Sequence, residues 1–137
     1  MSERTQRTLN DLKRGRDAHA ADVLRLALHY IIRGGWAATF TPRAGAVKPA
    51  IGVIDGAYSA VQAIGRARQE LCAPWMRGVE ASQALREAAG LRAWDVKGFT
   101  EWERAAGRTG DDVREAFKRA IGALVEREKG LLLDVAV

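Results

Sequence analysis

A chain of 137 residues with 47% hydrophobic and 28% charged side chains has the balance of one ordinary globular domain, able to bury about two thirds of its unfolded surface without disulfides or metal. That balance excludes a disordered or fibrous chain. The formal net charge of +5 admits nucleic acid or an acidic protein as partner, but the 22 basic and 17 acidic residues are interleaved along the sequence, so charge alone does not choose between them.

Residues 1–16 form a basic, polar lead-in, with Arg4, Arg7, Lys13, Arg14 and Arg16 set against Glu3 and Asp11. Nothing in this stretch resembles the apolar core of a signal peptide, and charged residues interrupt every candidate membrane span of about 18 residues. With the single Cys72 unable to form an intrachain disulfide, the expectation is a cytoplasmic protein with no membrane association.

A single compact domain is expected over residues 17–130. Its first element runs from Asp17 to Trp36, where Ala20, Val23, Leu24, Ala27, Leu28 and Ile31 recur at helical spacing opposite a solvated stripe of Asp22, Arg25, His29 and Arg33. Gly34 and Gly35 end this helix, and Trp36 follows as the first large side chain able to fold back on it. Between Trp36 and Lys48 the pattern predicts a short hairpin turning through Pro42 and Gly45. Pro49 then opens a second helix reaching about Leu71, with Gly52, Gly56 and Ala60 forming a small-residue stripe.

The stretch from Cys72 to Gly78 reads as a break carrying Trp75 and Met76. A helix over Val79 to Ala89, closed by Gly90, precedes Trp94 and a helix capped by Asp95 near Val96. Thr109 and Asp112 make a capping box for the last helix, whose buried stripe is Val113, Phe117, Ala120, Ile121 and Leu124 and which Gly130 ends. Residues 131–137, LLLDVAV, are too apolar for a free tail; they should pack on the core, add an edge strand or meet another subunit. The fold class is therefore mainly α, a small α+β chain of about five helices with one short β-hairpin after the first long helix. Trp36, Trp94 and Phe117 are its expected structural core, packed with Leu24 and Leu28.

Four pieces in this order, VLRLALHYIIRGGW, IGVIDGAYSAV, LRAWD and RTGDDVREAFKRAI, resemble a family of short proteins of unknown function from actinobacteria and their phages. In that family a helix ends in Gly-Trp, a short hairpin leads through a Cys-x-x-Gly-Ala-like segment into a second helix, and a Trp-Asn-Asp motif precedes a helix opened by Arg-Thr and acidic residues. The matching positions are Gly35, Trp36, Trp94, Asp95, Arg108, Thr109 and Val113, within roughly residues 20–125. Two departures stand out: no cysteine precedes the segment from Ile51 to Ala57, and no asparagine separates Trp94 from Asp95. The resemblance implies a fold and a host range, and the missing cysteine implies that any thiol chemistry of the family is absent here.

Convergent chemistry is not visible in the sequence. His19 and His29 lie ten residues apart with no Cys or carboxylate cluster to complete a metal site. Cys72, among Arg66, Arg68 and Arg77, has no paired His, and neither a phosphate loop nor a nucleophile elbow is present. No catalytic, metal or cofactor residue is therefore expected. The leading expectation is a non-enzymatic interaction protein that binds another protein or a second copy of itself through Trp75, Met76, Leu131, Leu132 and Leu133. The alternative is a DNA-binding helix-turn-helix over Ser82 to Glu103. Gly90 would be its turn, Leu85, Ala89, Val96 and Phe99 its core, and Arg92, Lys97 and Arg104 its exposed DNA-facing residues. Arg86 stands where that motif wants alanine, and Gly98 falls inside its second helix.

Overall fold

The computed structural model describes residues 19–38, 41–42 and 56–136, excepting the side chains of 41–42 and 128–136. The protein is mainly helical. Its described elements are α1 (Ala20–Gly34), the two-residue strands β1 (Thr41–Pro42) and β2 (Gly56–Ala57), then α2 (Ala60–Glu70), α3 (Trp75–Ala88), α4 (Val96–Arg104) and α5 (Gly110–Ala136).

α1 is the central element and packs against α2, α3 and α5. Val23, Leu24, Ala27, Tyr30 and Ile31 are fully buried along it, in keeping with its apolar spacing. The expected solvated stripe breaks at His29, which is buried; a helix covered by three others has too little free surface to keep a full polar face. Asp22, at the third helical position, reaches back to accept from the His19 backbone N–H at 3.0 Å. Gly35 closes the helix at φ +85°, a backbone conformation that a Cβ resists.

That closure sets the next contact. The Tyr58 N–H donates to Gly35 O at 3.3 Å and the Ala37 N–H to Tyr58 O at 3.1 Å, so residues 35–37 lie beside the approach to α2. β1 pairs antiparallel with β2, Thr41 opposite Ala57 and Pro42 opposite Gly56. The 46–48 segment expected to return in a local hairpin lies outside the described residues. Gly56 and Ala57 were assigned to a helix from Pro49; the helix instead starts at Ala60, where Ser59 Oγ accepts from the Gln62 N–H at 3.3 Å. A serine cap outweighs the weaker prior of a proline eleven residues earlier. The Gly52, Gly56 and Ala60 stripe dissolves with it, since Gly56 is in a strand and Gly52 is outside the described residues.

α3 begins at Trp75, four residues before its expected start at Val79, with Pro74 at the N-cap. Its buried residues are Ala81, Ala84 and Leu85. Gly90 turns the chain at φ +86°, and Asp95 caps α4 by accepting from the Gly98 N–H at 2.8 Å. The capping box of α5 is complete: Thr109 Oγ1 accepts from the Asp112 N–H at 3.2 Å, and Asp112 Oδ2 from the Thr109 N–H at 3.0 Å. Val113, Phe117, Ala120 and Leu124 lie in the core as the spacing required. Gly130 does not end α5, which continues to Ala136; an interior glycine costs about 1 kcal/mol, too little to stop a helix whose next residues are good helix formers. Residues 131–136 are thus helical, not an edge strand. The basic lead-in 1–16 lies outside the described residues.

Trp94 requires a correction. It is 71% exposed, while Phe117 is fully buried and Trp36 packs partly buried against the core. Arg86 donates to the Ala93 carbonyl and Asp95 is committed to the α4 cap, which pins the backbone on both sides of Trp94 and turns its indole outward. Leu91, three residues earlier, packs on the core in its place. Truncating Phe117 to Ala should therefore cost on the order of 3–5 kcal/mol in chemical denaturation, whereas Trp94→Ala should stay within about 0.5 kcal/mol of wild type. A large loss at Trp94 would contradict this placement.

Candidate functional site

Two polar clusters and one groove concentrate the chemistry of the described residues. The first cluster centres on Glu103, near the C-terminal end of α4 and only 4% exposed. One of its oxygens accepts from Trp36 Nε1 at 2.7 Å and from the Ala60 N–H at 2.7 Å. Ala60 is the first residue of α2, which has no acidic residue in its own first turn; Glu103 brings a carboxylate to that positive helix end from another element. Burial pushes the Glu103 carboxyl above its ordinary value, and the two donors and the Arg104 charge oppose that rise.

The second cluster lies where α1 meets α2. Tyr30 donates to Glu70, Arg66 Nε donates to the other Glu70 oxygen at 2.9 Å, and Arg66 also donates to the Tyr58 hydroxyl. The guanidinium stands 4.5 Å from the Tyr30 ring centroid, within cation–π range. Burial works against the Arg66 charge, but the bonds to Tyr58 and Glu70 outweigh it and raise its pKa. Each group here is held by another, so the cluster ties α1 to α2. Buried His29 is different: its Nε2 has no hydrogen-bond partner among the described residues, and burial lowers its pKa, with the Arg33 charge acting in the same direction. Among the described residues, no three His, Cys, Asp or Glu side chains gather as a metal site would need. Cys72 is an exposed free thiol.

The groove runs between α2, α3 and α4. One part, of about 250 Å³, has Val61, Ile64, Val79 and Trp75 among its walls, and it continues past Val61, Ile64 and Ser82 into a cleft of about 60 Å³ reaching Leu85, Val96 and Phe99. Glycines keep it open. Gly65 has empty space where a Cβ would stand, and at Gly78 a Cβ would come within 2.9 Å of the Arg68 stem that lies across it. Val61, Trp75 and Val96 stay more than half exposed along this groove. Arg68 and Arg86 also line it, and each donates to a backbone carbonyl, of Ala73 and Ala93, with no carboxylate partner among the described residues. The result is an apolar channel edged by two uncompensated cations.

The residues singled out from the sequence distribute unevenly over this geometry. Trp75 lines the groove and Met76 stands exposed beside it in the first turn of α3. Leu131, Leu132 and Leu133 belong to the helical end of α5, their side chains outside the described set. Arg92, Lys97 and Arg104 are all exposed, but the connection from α3 to α4 takes residues 89–95, longer than the three or four of a helix-turn-helix, and Val96, expected in its core, is 58% exposed. Glu103 was missed. Its only trace in the sequence is its place four residues after Phe99, on the buried face of α4, where a charged residue demands a partner.

The raised Glu103 pKa has a definite sign in stability. Between its unfolded value near 4.5 and its higher folded value, the native state binds more protons than the unfolded chain, so this residue's contribution is most favourable at low pH and declines as pH rises through the folded pKa. Glu103→Gln keeps an acceptor for Trp36 and Ala60 and removes the titration. The difference in unfolding free energy between wild type and Glu103→Gln, followed against pH, should therefore fall as pH rises above about 4.5; a flat difference would show that burial does not perturb the carboxyl.

The residues of the sequence resemblance serve this scaffold: Gly35 closes α1, Trp36 meets Glu103, Asp95 and Thr109 cap helices, and Arg108 sits 4.0 Å over the Trp102 ring while donating to Trp102 O at 2.8 Å. No curated protein and no solved structure matches the chain. A family model matches residues 15–123, a span that contains α1 to α4 and the core half of α5, and the chain accordingly belongs to DUF6197, a family of unknown function.

Proposed function

We propose that this protein is a small, non-enzymatic cytoplasmic binding module, of actinobacterial or phage origin as the sequence resemblance implies, that takes an apolar segment of another protein chain into the groove between α2, α3 and α4. The observation that carries this reading is Trp75, 71% exposed at the edge of a groove whose other walls include Val61, Ile64 and Val96. Isolated exposed apolar residues are ordinary, but several around one concave channel rimmed by charge mark a binding surface. An indole at such a rim supplies large contact area with few rotatable bonds, which suits it to anchor a partner.

DNA binding is the second reading, favoured by the exposure of Arg92, Lys97 and Arg104 and weakened by the long α3–α4 connection. Peptides selected by display against the folded protein should carry apolar anchors and should lose affinity about tenfold or more for a Val61→Glu/Trp75→Ala variant. Selected peptides indifferent to that variant would overturn the groove reading. Duplex binding should be weak and unchanged in an Arg92→Ala/Lys97→Ala/Arg104→Ala variant; tight binding that falls steeply with salt and vanishes in the triple variant would establish the DNA reading instead.

A further inference from the structure

Resting on the groove reading above, we propose that the partner segment is an acidic amphipathic helix, whose apolar face enters the groove and whose carboxylates meet Arg68 and Arg86. Charge carries the choice. Among the described residues the groove has two bases and no acid in its walls, and the two guanidinium groups donate to backbone carbonyls, Arg68 to Ala73 at 3.2 Å and Arg86 to Ala93. Arginines on the same two helices but outside the groove are paired: Arg66 with Glu70 at 2.9 Å, and Arg77 with Glu80 at 2.7 Å. A carbonyl positions a guanidinium without cancelling its charge. A carboxylate brought to either one therefore gains a charge-assisted bond at little further ordering cost, whereas a lysine or arginine in its place is repelled.

The helical form follows from the walls. Every wall residue belongs to α2, α3 or α4, and backbone groups inside a helix bond to one another, so the groove offers no strand edge to an extended segment. A segment entering this apolar channel must satisfy its own backbone, as a helix does. The stem of Arg68 lies against Gly78, and Arg86 stands two turns further along α3, a rise of about 12 Å. On a helix lying along α3 the same rise separates residues about seven or eight apart. Two acids at that spacing meet the two arginines, and apolar residues at the helical steps between them face Val61, Ile64 and Trp75.

Peptides selected by display against the full-length protein, from a pool unbiased in charge, should be enriched in Asp and Glu and depleted in Lys and Arg, with acids about two turns apart. Replacing both acids of a selected peptide by their amides should weaken its binding to wild type about tenfold. Added salt should weaken the acidic peptide and leave the amide form nearly unchanged. Arg68→Gln/Arg86→Gln, with circular dichroism matching wild type, should bind the two forms alike. Arg92→Ala/Lys97→Ala/Arg104→Ala, which lowers the net charge outside the groove, should keep the preference for the acidic form. The proposal is overturned by equal affinity of the two forms for wild type, by an acid preference that survives in the folded Arg68→Gln/Arg86→Gln variant, or by one that the triple variant abolishes. If such peptides still lose affinity for Val61→Glu/Trp75→Ala, the groove reading stands and only the charge of its occupant is wrong; if they are indifferent to that variant, both fall. A wild-type dimer that Val61→Glu disperses would put a second copy in the groove and overturn the proposal as well.

Discussion

Glu103 holds together three segments that are far apart in the chain. Its carboxylate oxygen takes the Trp36 indole N–H from the end of α1 and the Ala60 N–H from the start of α2, so the exit of the central helix, the entrance of the next and the body of α4 meet at one atom. The arrangement tolerates little variation. A buried carboxylate that loses one donor keeps its desolvation cost, and removing the carboxylate leaves two donors without partners, each worth roughly 1–3 kcal/mol. These bonds fix α1, α2 and α4 relative to one another, and α2 and α4 both supply walls of the groove.

What could be read from the sequence was local. Thr109 with Asp112, Asp95 before Val96, and Gly35 after the last turn of α1 each predict a helix boundary through bonds to neighbours within four residues, and the structure contains them. The misplacements were longer in range. Whether Gly56 and Ala57 form helix or strand depends on Thr41 and Pro42, not on Pro49, and whether Trp94 turns inward depends on what Arg86 and Asp95 do to the backbone on either side of it. A buried histidine on an apparently solvated stripe likewise reflects the number of helices packed around α1, which no periodicity reports. The site suffered in the same way: Trp75 and Met76 were visible as apolar residues in a break, but the groove needs Val61 from α2 and Val96 from α4, and neither has a sequence signal tying it to Trp75.

Charge is distributed over the surface in a manner that separates structural arginines from available ones. Arg66 is enclosed by Tyr30, Tyr58 and Glu70, and Arg108 lies flat on Trp102 between α4 and α5; these two are committed to holding helices together. Arg77 pairs with Glu80 at 2.7 Å and Arg114 with Asp111, exposed contacts of small energetic consequence. Arg68 and Arg86 differ from all of these in having carbonyl oxygens and no carboxylate as partners among the described residues, which fixes the position of a guanidinium without cancelling its charge. A net positive chain thus presents part of its excess in a fixed place beside apolar surface.

Gly65 sits in the middle of α2 with open space in front of its α-carbon. Replacing an exposed, mid-helix glycine by alanine is among the commonest ways to raise the melting temperature of a helical protein, worth about 1 kcal/mol, and nothing in the packing opposes it here. Gly65 also lines the groove, so the added methyl would stand at its wall. Under the binding role proposed for the groove, thermal robustness and access to the groove pull this single position in opposite directions.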